Sequence, residues 1–177
     1  MRLCGYNKLV NFALRAFRRE DFDSLWRIDQ ECFAPGIAYS RLELAAYIRL
    51  RGAFTIVAES LDGRHTSQST SPILGFIVAQ TRRRGVGHIL TIDVPMASRR
   101  GGVGSRLLSA AEDRLRDAGC HGVVLETAVD NATALVFYKR HGYVVARTIP
   151  RYYSNGVDAF VMEKQLHSAS ARAGLQR

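Results

Sequence analysis

The sequence contains few of the residues that build covalently linked or metal-bound frameworks. Its three cysteines, Cys4, Cys32 and Cys120, are an odd number, lie far apart and form no Cys-x-x-Cys pair. Neither a disulfide framework nor a zinc site is therefore expected. No apolar run approaches the roughly 18–20 residues of a membrane span, and the first residues lack the apolar core of a secretory signal. These absences predict a cytoplasmic protein that does not cross a membrane.

The length and composition are those of one globular domain. The 177 residues fall within the range of roughly 100–200 residues that is typical of a single domain. Hydrophobic residues make up 47% of the chain and charged residues 23%, a balance that excludes disordered, collagenous and low-complexity chains. We expect the domain to span residues 11–166, with 1–10 as an N-terminal extension and 167–177 as a disordered tail.

The chain is short of acidic residues relative to basic ones. Its 25 Lys and Arg against 16 Asp and Glu give a net charge of +9. Such a field attracts phosphates, RNA or an acidic partner at modest ionic strength. The arginines are scattered, however, and the clusters at 82–84 and 99–100 have no interleaved aromatic residues. A dedicated nucleic-acid site is therefore not predicted.

Hydrophobic periodicity and turn residues predict an alternation of strands and helices. Apolar positions at near-helical spacing run from Phe22 to Phe33, and Ser40-Arg41-Leu42-Glu43 has the composition of a capping box. The expected strands are 11–17, 55–59, 73–80, 88–94, 123–127, 143–149 and 159–164, and the later helices are 41–51, 102–118 and 132–141. Residues 61–71 are polar and are expected to form a mobile loop between the second and third strands.

The segment 99–105 is rich in glycine and precedes the most strongly amphipathic of the predicted helices. The first N–H groups of a helix have no partner within it, and with the helix dipole they bind anions. Gly102 and Gly104 would let a diphosphate approach the main chain, and the two arginines that open the segment add positive charge. No Gly-Lys-Ser or Gly-Lys-Thr follows, and Leu107 replaces the third glycine of a dinucleotide motif, which disfavours ATP and NAD. We expect a phosphorylated cofactor, although an ordinary strand-to-helix turn has the same composition.

Two motifs occur in the order typical of one superfamily. The pattern R-x-x-G-x-G at 99–104, after a strand and before an amphipathic helix, resembles the acetyl-CoA pyrophosphate motif of the GNAT superfamily of N-acetyltransferases. Downstream, Leu125-Glu126, Asn131 and the run FYKRHGY at 137–143 resemble the second half of that superfamily. The resemblance covers about residues 14–166. The branch that it most resembles is the bacterial ribosomal-protein alanine N-acetyltransferases, through Arg151-Tyr152-Tyr153.

The resemblance implies both a fold and a cofactor. The fold is α/β, a single domain with a mixed, mostly antiparallel sheet of about seven strands flanked by about four helices. The cofactor is acetyl-CoA, with its pantetheine arm beside the strand at 92–94 and its diphosphate against 99–105. The implied cofactor-binding residues are Ile92, Asp93, Val94, Arg99, Arg100, Gly101, Gly102, Val103, Gly104, Ser105, Asn131 and Tyr138. No metal is implied.

The resemblance also implies direct transfer of an acetyl group to a primary amine, with Glu126 as general base and Tyr138 as general acid. Tyr138 lies seven residues after Asn131, two helical turns on, so its phenol shares a face with the first turn of that helix. Each of three residues also has a purely structural alternative. The Tyr138 ring could serve only to pack the core, Glu126 could be an exposed residue at a strand end, and Asp93 could be a capping or solvent-facing carboxylate. Cys120 is expected near a helix end, away from the cleft, so no covalent intermediate is expected.

The expected acceptor is the N-terminal α-amine of a protein, of the ribosomal-protein alanine type, and the enzyme is expected to be a monomer or a homodimer. An α-amine with a pKa near 8 needs about 1 kcal/mol to become neutral at pH 7, whereas a lysine needs about 4–5 kcal/mol. One modest base therefore suits a peptide N-terminus. The resemblance implies two facing loops that hold the acceptor, with Phe33, Pro35 and Tyr39 in one and Tyr152 and Tyr153 in the other.

Other functions remain open at this point. The same chemistry could act on a small amine such as a polyamine, an amino acid or an aminoglycoside. The domain could also be a non-catalytic acyl-CoA sensor or a basic ribosome-associated module. Three histidines, His88, His121 and His141, have no paired carboxylate or second ligand at a recognisable spacing. Each is interpreted as structural or solvent-facing.

Overall fold

The computed structural model describes residues 11–62 and 73–166, and within them the chain forms seven strands and four α-helices. The strands are β1 (Phe12–Ala16), β2 (Ala53–Ser60), β3 (Ile73–Arg82), β4 (Val86–Asp93), β5 (Gly122–Ala128), β6 (Val144–Ile149) and β7 (Ala159–Gln165). The helices are α1 (Phe22–Cys32) and α2 (Arg41–Ile48) between β1 and β2, α3 (Val103–Asp117) between β4 and β5, and α4 (Ala132–Arg140) between β5 and β6. The expected N-terminal extension, the C-terminal tail and most of the polar loop lie outside the described residues.

All seven strands form one mixed sheet in the order β1-β2-β3-β4-β5-β7-β6. The β4–β5 pair is parallel, and the other five pairs are antiparallel. The expected α/β fold with a mostly antiparallel sheet is therefore confirmed. The consecutive strands β2 and β3 pair as one antiparallel hairpin, and β6 and β7 pair as another.

The core has two layers because helices cover both faces of the sheet. α3 and α4 pack on one face, where the apolar positions of α3 follow three- and four-residue spacing. α1 and α2 pack on the other face. Neighbouring residues of β3 illustrate the division, since Ile77 packs towards α3 and Phe76 towards α1. We call the face under α1 and α2 the acceptor face.

Local signals explain the helix boundaries. The capping box is present, because the N–H of Glu43 donates to the Ser40 hydroxyl and the N–H of Ser40 donates to the Glu43 carboxylate at 2.8 Å. α2 ends at Ile48, three residues before the expected end, because Gly52 adopts a φ of 80° in the turn into β2. Phe33, predicted within the first helix, is extended and ends α1. No helix within residues 11–62 and 73–166 is long and apolar enough to cross a bilayer.

A buried polar network joins α3 to the far end of the sheet. Glu112 on α3 accepts a hydrogen bond from the Tyr143 hydroxyl at 3.0 Å and one from Lys164 Nζ at 2.6 Å. The Glu112 and Tyr143 side chains are buried. A buried carboxylate is costly without partners, so this network fixes how α3, the start of β6 and the end of β7 pack together.

Candidate active site

The sheet opens between β4 and β5. Their parallel ladder ends at Ile89 and Leu125, yet β4 continues to Asp93 and β5 to Ala128. Beyond the last pair, the facing edges of the two strands present main-chain N–H and C=O groups without a strand partner. We call this opening the β4–β5 gap. The predicted cofactor strand, residues 92–94, forms one side of it.

A β-bulge lies where the β4–β5 gap begins. Pairing with β3 passes from Ile89 directly to Thr91, so Leu90 is an extra residue on β4. A bulge bends the strand that contains it, which explains why β4 leaves β5 here. The Leu90 carbonyl accepts a hydrogen bond from the Tyr39 hydroxyl at 3.2 Å. The bulge therefore also anchors the connection between α1 and α2.

The N-terminus of α3 is open towards solvent near the end of β4. Gly102 caps the helix with a φ of 82°, and a Cβ there would meet no atom within 4 Å among the described residues. The first intrahelical bond runs from the Arg106 N–H to the Gly102 carbonyl at 3.0 Å. The N–H groups of 103–105 precede it and point out of the helix. The N–H groups of 103–105 therefore form a cradle that suits an anionic group.

The residues before α3 connect this cradle to the β4–β5 gap. Arg99 Nε donates to the Val94 carbonyl at 2.8 Å. Arg100 has a φ of 63°, a conformation that costs a non-glycine residue roughly 1 kcal/mol or more. The predicted cofactor residues at 92–94 and 99–105, Gly101 included, therefore surround one end of the gap. Their role as cofactor ligands stays a prediction.

Asp93 is deeply buried, so the solvent-facing alternative was wrong. Its Oδ1 accepts a hydrogen bond from the Thr91 hydroxyl, and its Oδ2 has no partner among the described residues. Burial raises the pKa of Asp93 well above its usual value, the Thr91 hydrogen bond opposes this, and the Asp29 carboxylate adds to it. The protonated form of Asp93 is thus favoured. Burial also raises the pKa of Asp29 to about 6, against hydrogen bonds from Tyr39 N–H and Gln30.

Glu126 is paired with a histidine on the neighbouring strand. His88 Nε2 lies 2.6 Å from Glu126 Oε2. His88 is opposite Val124 in the parallel ladder, and Glu126 lies two residues further along β5, so both side chains lie on the acceptor face. The expectation that His88 has no paired carboxylate was wrong. The two residues are 38 positions apart, and only the register of β4 against β5 brings them together.

The environment of Glu126 favours its ionised form. Burial alone would raise the pKa of Glu126, but the hydrogen bond with His88, together with the nearby charges of Arg82 and Arg147, lowers it below the usual value. The Glu126 side chain is 17% exposed against 6% for His88. Glu126 is therefore the member of the pair that reaches the cleft, and it does so as a carboxylate.

Tyr138 approaches the β4–β5 gap from the opposite face. Its ring is 6% exposed and packs in the core layer under α3 and α4, with edge contacts to Phe137 and Tyr143. Its hydroxyl has no hydrogen-bond partner in residues 11–62 and 73–166. Burial, with smaller effects of Asp93 and Tyr153, raises the pKa of Tyr138. The phenol is thus a protonated donor at neutral pH that no protein group in the described chain uses.

Two other predicted or dismissed residues lie beside α3 and α4. Asn131 caps α4, because its Oδ1 accepts the Ala134 N–H at 3.0 Å. His141 Nε2 lies 3.1 Å from the Ser105 hydroxyl and Nδ1 lies 2.8 Å from the Phe137 carbonyl. His141 therefore connects the end of α4 to the first turn of α3, which agrees with a structural role.

Two loops face each other over the acceptor face. The Ser154 hydroxyl donates to the Gly36 carbonyl at 2.9 Å, which joins the β6–β7 connection to the α1–α2 connection. Tyrosines line the space between them: Tyr39 packs against Tyr47 with ring centroids 4.8 Å apart, and Tyr152 packs against Tyr153 at 5.0 Å. In the first loop Phe33 is half-buried and Pro35 exposed, and in the second Tyr152 is 46% exposed. The predicted acceptor residues are therefore near one another, and their contact with an acceptor stays a prediction.

The described residues offer no other reactive cluster at this place. No group of three or more His, Cys, Asp or Glu within 11–62 and 73–166 is arranged to hold a metal ion. Cys120 is buried just after α3, where burial raises the pKa of its thiol. Burial likewise raises the pKa of Cys32 to about 12. Both thiols are therefore poor nucleophiles at neutral pH.

Comparison with curated proteins finds N-acetyltransferases. The chain is 33% identical over 157 residues to an uncharacterized N-acetyltransferase of Methanocaldococcus jannaschii, an alignment that covers 88% of the chain and 93% of that protein. It is 38% identical over 74 residues to N-alpha-acetyltransferase 30 of Schizosaccharomyces pombe. That second match covers 42% of the chain and 49% of that protein, so it concerns part of each.

Solved structures share the fold over nearly the whole domain. Ard1 from Thermoplasma volcanium superposes with a TM-score of 0.78 at 28% identity, covering 90% of this chain and all of that one. The matched chain of a NatC complex bound to Gag peptide and CoA gives 0.70 at 25% identity, covering 89% and 99%. The ribosomal-protein-S18-alanine N-acetyltransferase of Escherichia coli gives 0.73 at 21% identity, covering 89% and 96%, and thus shares the fold. The model of the Acetyltransferase (GNAT) family matches residues 20–143. With that match, and with a near full-length relative, the chain belongs to the GNAT family of acetyltransferases.

Proposed function

We propose that this enzyme transfers the acetyl group of acetyl-CoA to the N-terminal α-amine of a protein. One arrangement carries the proposal: the β4–β5 gap has an ionised carboxylate, Glu126, on its acceptor face and an unpaired phenol, Tyr138, on the opposite face. An amine that enters from the acceptor face meets a base, and the leaving sulfur on the other side meets an acid. The relatives named N-alpha-acetyltransferases support the same activity.

Acetyl-CoA fits the cradle beside the gap. The free N–H groups of 103–105 and the open space before Gly102 suit the diphosphate. The free edge of β4 at 92–94 suits a pantetheine arm bound like an added strand, and Asn131 lies at the start of α4 where its amide can face that arm. When bound, acetyl-CoA supplies an activated acetyl group on sulfur. The N-acetyltransferase complexes with CoA support this assignment.

Glu126 takes the proton of the attacking amine in this proposal. An α-amine loses its proton at a cost of about 1 kcal/mol at pH 7, so a carboxylate of ordinary strength suffices. His88 occupies Oε2, which leaves Oε1 of Glu126 to accept from the amine directly or through a water. A main-chain N–H near Val94 would stabilise the oxygen that gains negative charge, a contribution of about 3 kcal/mol. Pro95 has no N–H, so the donor must precede it.

Tyr138 donates a proton to the departing sulfur. Its raised pKa keeps the O–H intact at neutral pH, and the absence of a partner in the described chain leaves that O–H to the substrate. A positioned general acid contributes roughly 10²–10⁴-fold to the rate. Burial raises the pKa of the two thiols in the described residues, Cys32 and Cys120. Neither is therefore a ready nucleophile at neutral pH, and the proposed transfer proceeds without a covalent intermediate on this enzyme.

The acceptor is a polypeptide that begins with a small residue such as alanine, of the ribosomal-protein type. The tyrosines of the two loops offer rigid apolar walls with hydroxyl groups that can bond a peptide backbone. Arg82 and Arg147, both exposed, lie close enough to lower the pKa of Glu126. Their charges disfavour a polyamine or an aminoglycoside in the same cleft.

The test is turnover of synthetic peptides. The purified enzyme is expected to acetylate an Ala-starting peptide and to leave the same peptide with a blocked N-terminus but a free lysine nearly untouched. Tyr138→Phe and Glu126→Gln should each lower kcat by at least about 10²-fold, while Tyr143→Phe, a neighbouring tyrosine outside the gap, should not. Turnover of small amines alone would refute the acceptor assignment, and acetyl-CoA binding with no turnover on any amine would refute catalysis.

The natural acceptor follows from a comparison of cellular proteins. Mass spectrometry of protein N-termini from cells with and without the enzyme should show a defined set that loses acetylation, with a ribosomal protein beginning with alanine among them. An unchanged set of N-termini would contradict the proposal even if the peptide assay succeeds.

A further inference from the structure

His88 lies behind Glu126 and takes no part in the proton transfers proposed for Glu126 and Tyr138. It is buried between its strand neighbours on the acceptor face, with Nε2 at 2.6 Å from Glu126 Oε2. Its other ring nitrogen, Nδ1, is buried and has no hydrogen-bond partner among the described residues. A buried polar atom without a partner is unusual in a folded protein. The side chain is therefore held by one strong contact, and that contact is to the base.

We propose that His88 is a positioning residue for the acetyl transfer: it donates its Nε2–H to Glu126 Oε2 and so directs Oε1 of Glu126 into the β4–β5 gap as a carboxylate. This role rests on the proposed function, because it concerns the same base. His88 does not touch the acceptor in this arrangement, since Glu126 is the more exposed member of the pair.

Chemistry decides which nitrogen carries the proton. An ionised carboxylate only accepts hydrogen bonds, so the short contact requires the proton on Nε2. A second proton on Nδ1 would be a buried donor with no acceptor. The neutral Nε2–H tautomer therefore fits both ends of the ring. It also fixes the orientation of the ring and, through it, the rotamer of Glu126.

The contact has a consequence for the protonation of the base. Glu126 is half-buried, and burial favours its neutral form, which cannot accept a proton from the amine. The groups that face Glu126 are Arg82 from β3, His88 from β4, Arg147 from β6 and the two tyrosines of the β6–β7 connection. The arginines are exposed and screened by solvent, and the tyrosines are neutral. His88 is therefore the group that keeps Glu126 ionised at mildly acidic pH.

Two substitutions separate positioning from proton transfer and from simple packing. His88→Leu fills a similar volume without a donor, whereas His88→Gln keeps an N–H near the place of Nε2 but cannot titrate. The rate of acetylation of an Ala-starting peptide is measured against pH. For His88→Leu we expect the acid limb of kcat/KM to move up by about one pH unit and kcat at pH 7 to fall roughly tenfold or more, with little change in KM. His88→Gln should stay within about threefold of the wild type.

Two results would overturn the proposal. If folded His88→Leu has the same acid limb of kcat/KM and the same kcat as the wild type, Glu126 needs no partner. A His88→Gln as impaired as His88→Leu would mean that the proton passes through the ring. The unfolding curve of each variant is recorded first, and if His88→Leu fails to fold, His88→Gln and the spectroscopy below decide alone.

A measurement on the wild type separates this proposal from the peptide activity. Long-range ¹H–¹⁵N NMR spectra report which nitrogen of a histidine carries the proton, and His88→Gln assigns the signal. We expect the Nε2–H tautomer at pH 7 in the enzyme without ligands. An Nδ1–H tautomer would refute the positioning role even in an active enzyme. The expected tautomer in an enzyme that acetylates no peptide would refute the proposed function and not this contact.

Discussion

Two adjacent tyrosines allow catalysis and stability to be separated. The rings of Tyr138 and Tyr143 meet edge to face with centroids 5.6 Å apart, and both are buried. They differ in the partner of the hydroxyl. Tyr143 donates to the buried Glu112 at 3.0 Å, whereas Tyr138 has no protein partner within residues 11–62 and 73–166. Replacing each by phenylalanine removes only the hydroxyl and keeps the packed ring.

The two substitutions are expected to have opposite effects: one lowers stability and the other lowers kcat. Tyr143→Phe removes a hydrogen bond to a buried charged group, which should lower the free energy of unfolding by about 1.5–3 kcal/mol. Tyr138→Phe removes no such bond, so the free energy of unfolding should change by less than about 0.5 kcal/mol. A loss of 10²–10⁴-fold in kcat for Tyr138→Phe corresponds to about 2.7–5.4 kcal/mol of transition-state stabilisation, at 1.36 kcal/mol per decade. Tyr143→Phe should keep kcat within about threefold.

Both quantities are measured on the same preparations. Urea denaturation gives the free energy of unfolding, and steady-state acetylation of an Ala-starting peptide gives kcat. The reasoning fails if Tyr138→Phe keeps more than about one tenth of the wild-type kcat, or if it is as destabilised as Tyr143→Phe. It also fails if folded Tyr143→Phe is inactive, because loss of a buried hydroxyl that is bonded to Glu112 would then have the same effect as loss of the Tyr138 hydroxyl.

Other properties of the structure give further expected outcomes. Burial raises the pKa of Asp29 to about 6, so the folded state binds this proton more tightly than the unfolded state does. The free energy of unfolding should therefore fall by about 3 kcal/mol as the pH rises from below 4 through 6. Asp29→Asn should reduce this fall, which urea denaturation at pH 4 and pH 7.5 measures. If the free energy of unfolding of Asp29→Asn changes with pH as much as that of the wild type, Asp29 titrates in the folded protein as it does in the unfolded chain. Gly102→Ala forces a side chain onto a φ of 82° at the mouth of α3, and calorimetry should show about tenfold weaker acetyl-CoA binding. Gly119→Ala, with the same φ and the same open space at the other end of α3, is the matched control and should bind normally. Ser40→Ala removes the cap of α2 and should lower the free energy of unfolding by about 0.5–2 kcal/mol with no change in kcat, which unfolding and activity measurements check together.

Local patterns predicted nearly all of the helices and strands. The amphipathic spacing of α3 and the capping residues Ser40 and Asn131 are short-range signals, and the elements that they mark appear within a few residues of their expected bounds. The family motifs assigned the glycine-rich segment to the cofactor diphosphate and Glu126 to the general base, and both assignments stay predictions. These features depend on residues that are neighbours along the chain, which is why a sequence reveals them.

The errors concern pairs of residues that meet only through the sheet. His88 was interpreted as having no carboxylate partner, because nothing in its spacing from Glu126 shows the register of two parallel strands joined through α3. Asp93 could be taken as solvent-facing, because burial of a carboxyl depends on α1 covering the end of β4. The bulge at Leu90 is equally invisible in the sequence, although it explains why the gap exists.

The electrostatics of the site also bear on which amine it can use. A lowered pKa makes Glu126 a weak base, so it gives little help to an amine that is firmly protonated. At pH 7 a lysine side chain with a pKa near 10.4 costs about 4–5 kcal/mol to neutralise, against about 1 kcal/mol for an α-amine. The difference of roughly 3 kcal/mol corresponds to more than 10²-fold in rate before any contact with the acceptor is counted. The charges of Arg82 and Arg147, which help to lower the pKa of Glu126, disfavour a second ammonium in the same cleft. The proposed preference for a chain terminus is therefore consistent with the weakness of the base, and in this proposal the tyrosine-lined loops need only recognise the first residues of the polypeptide.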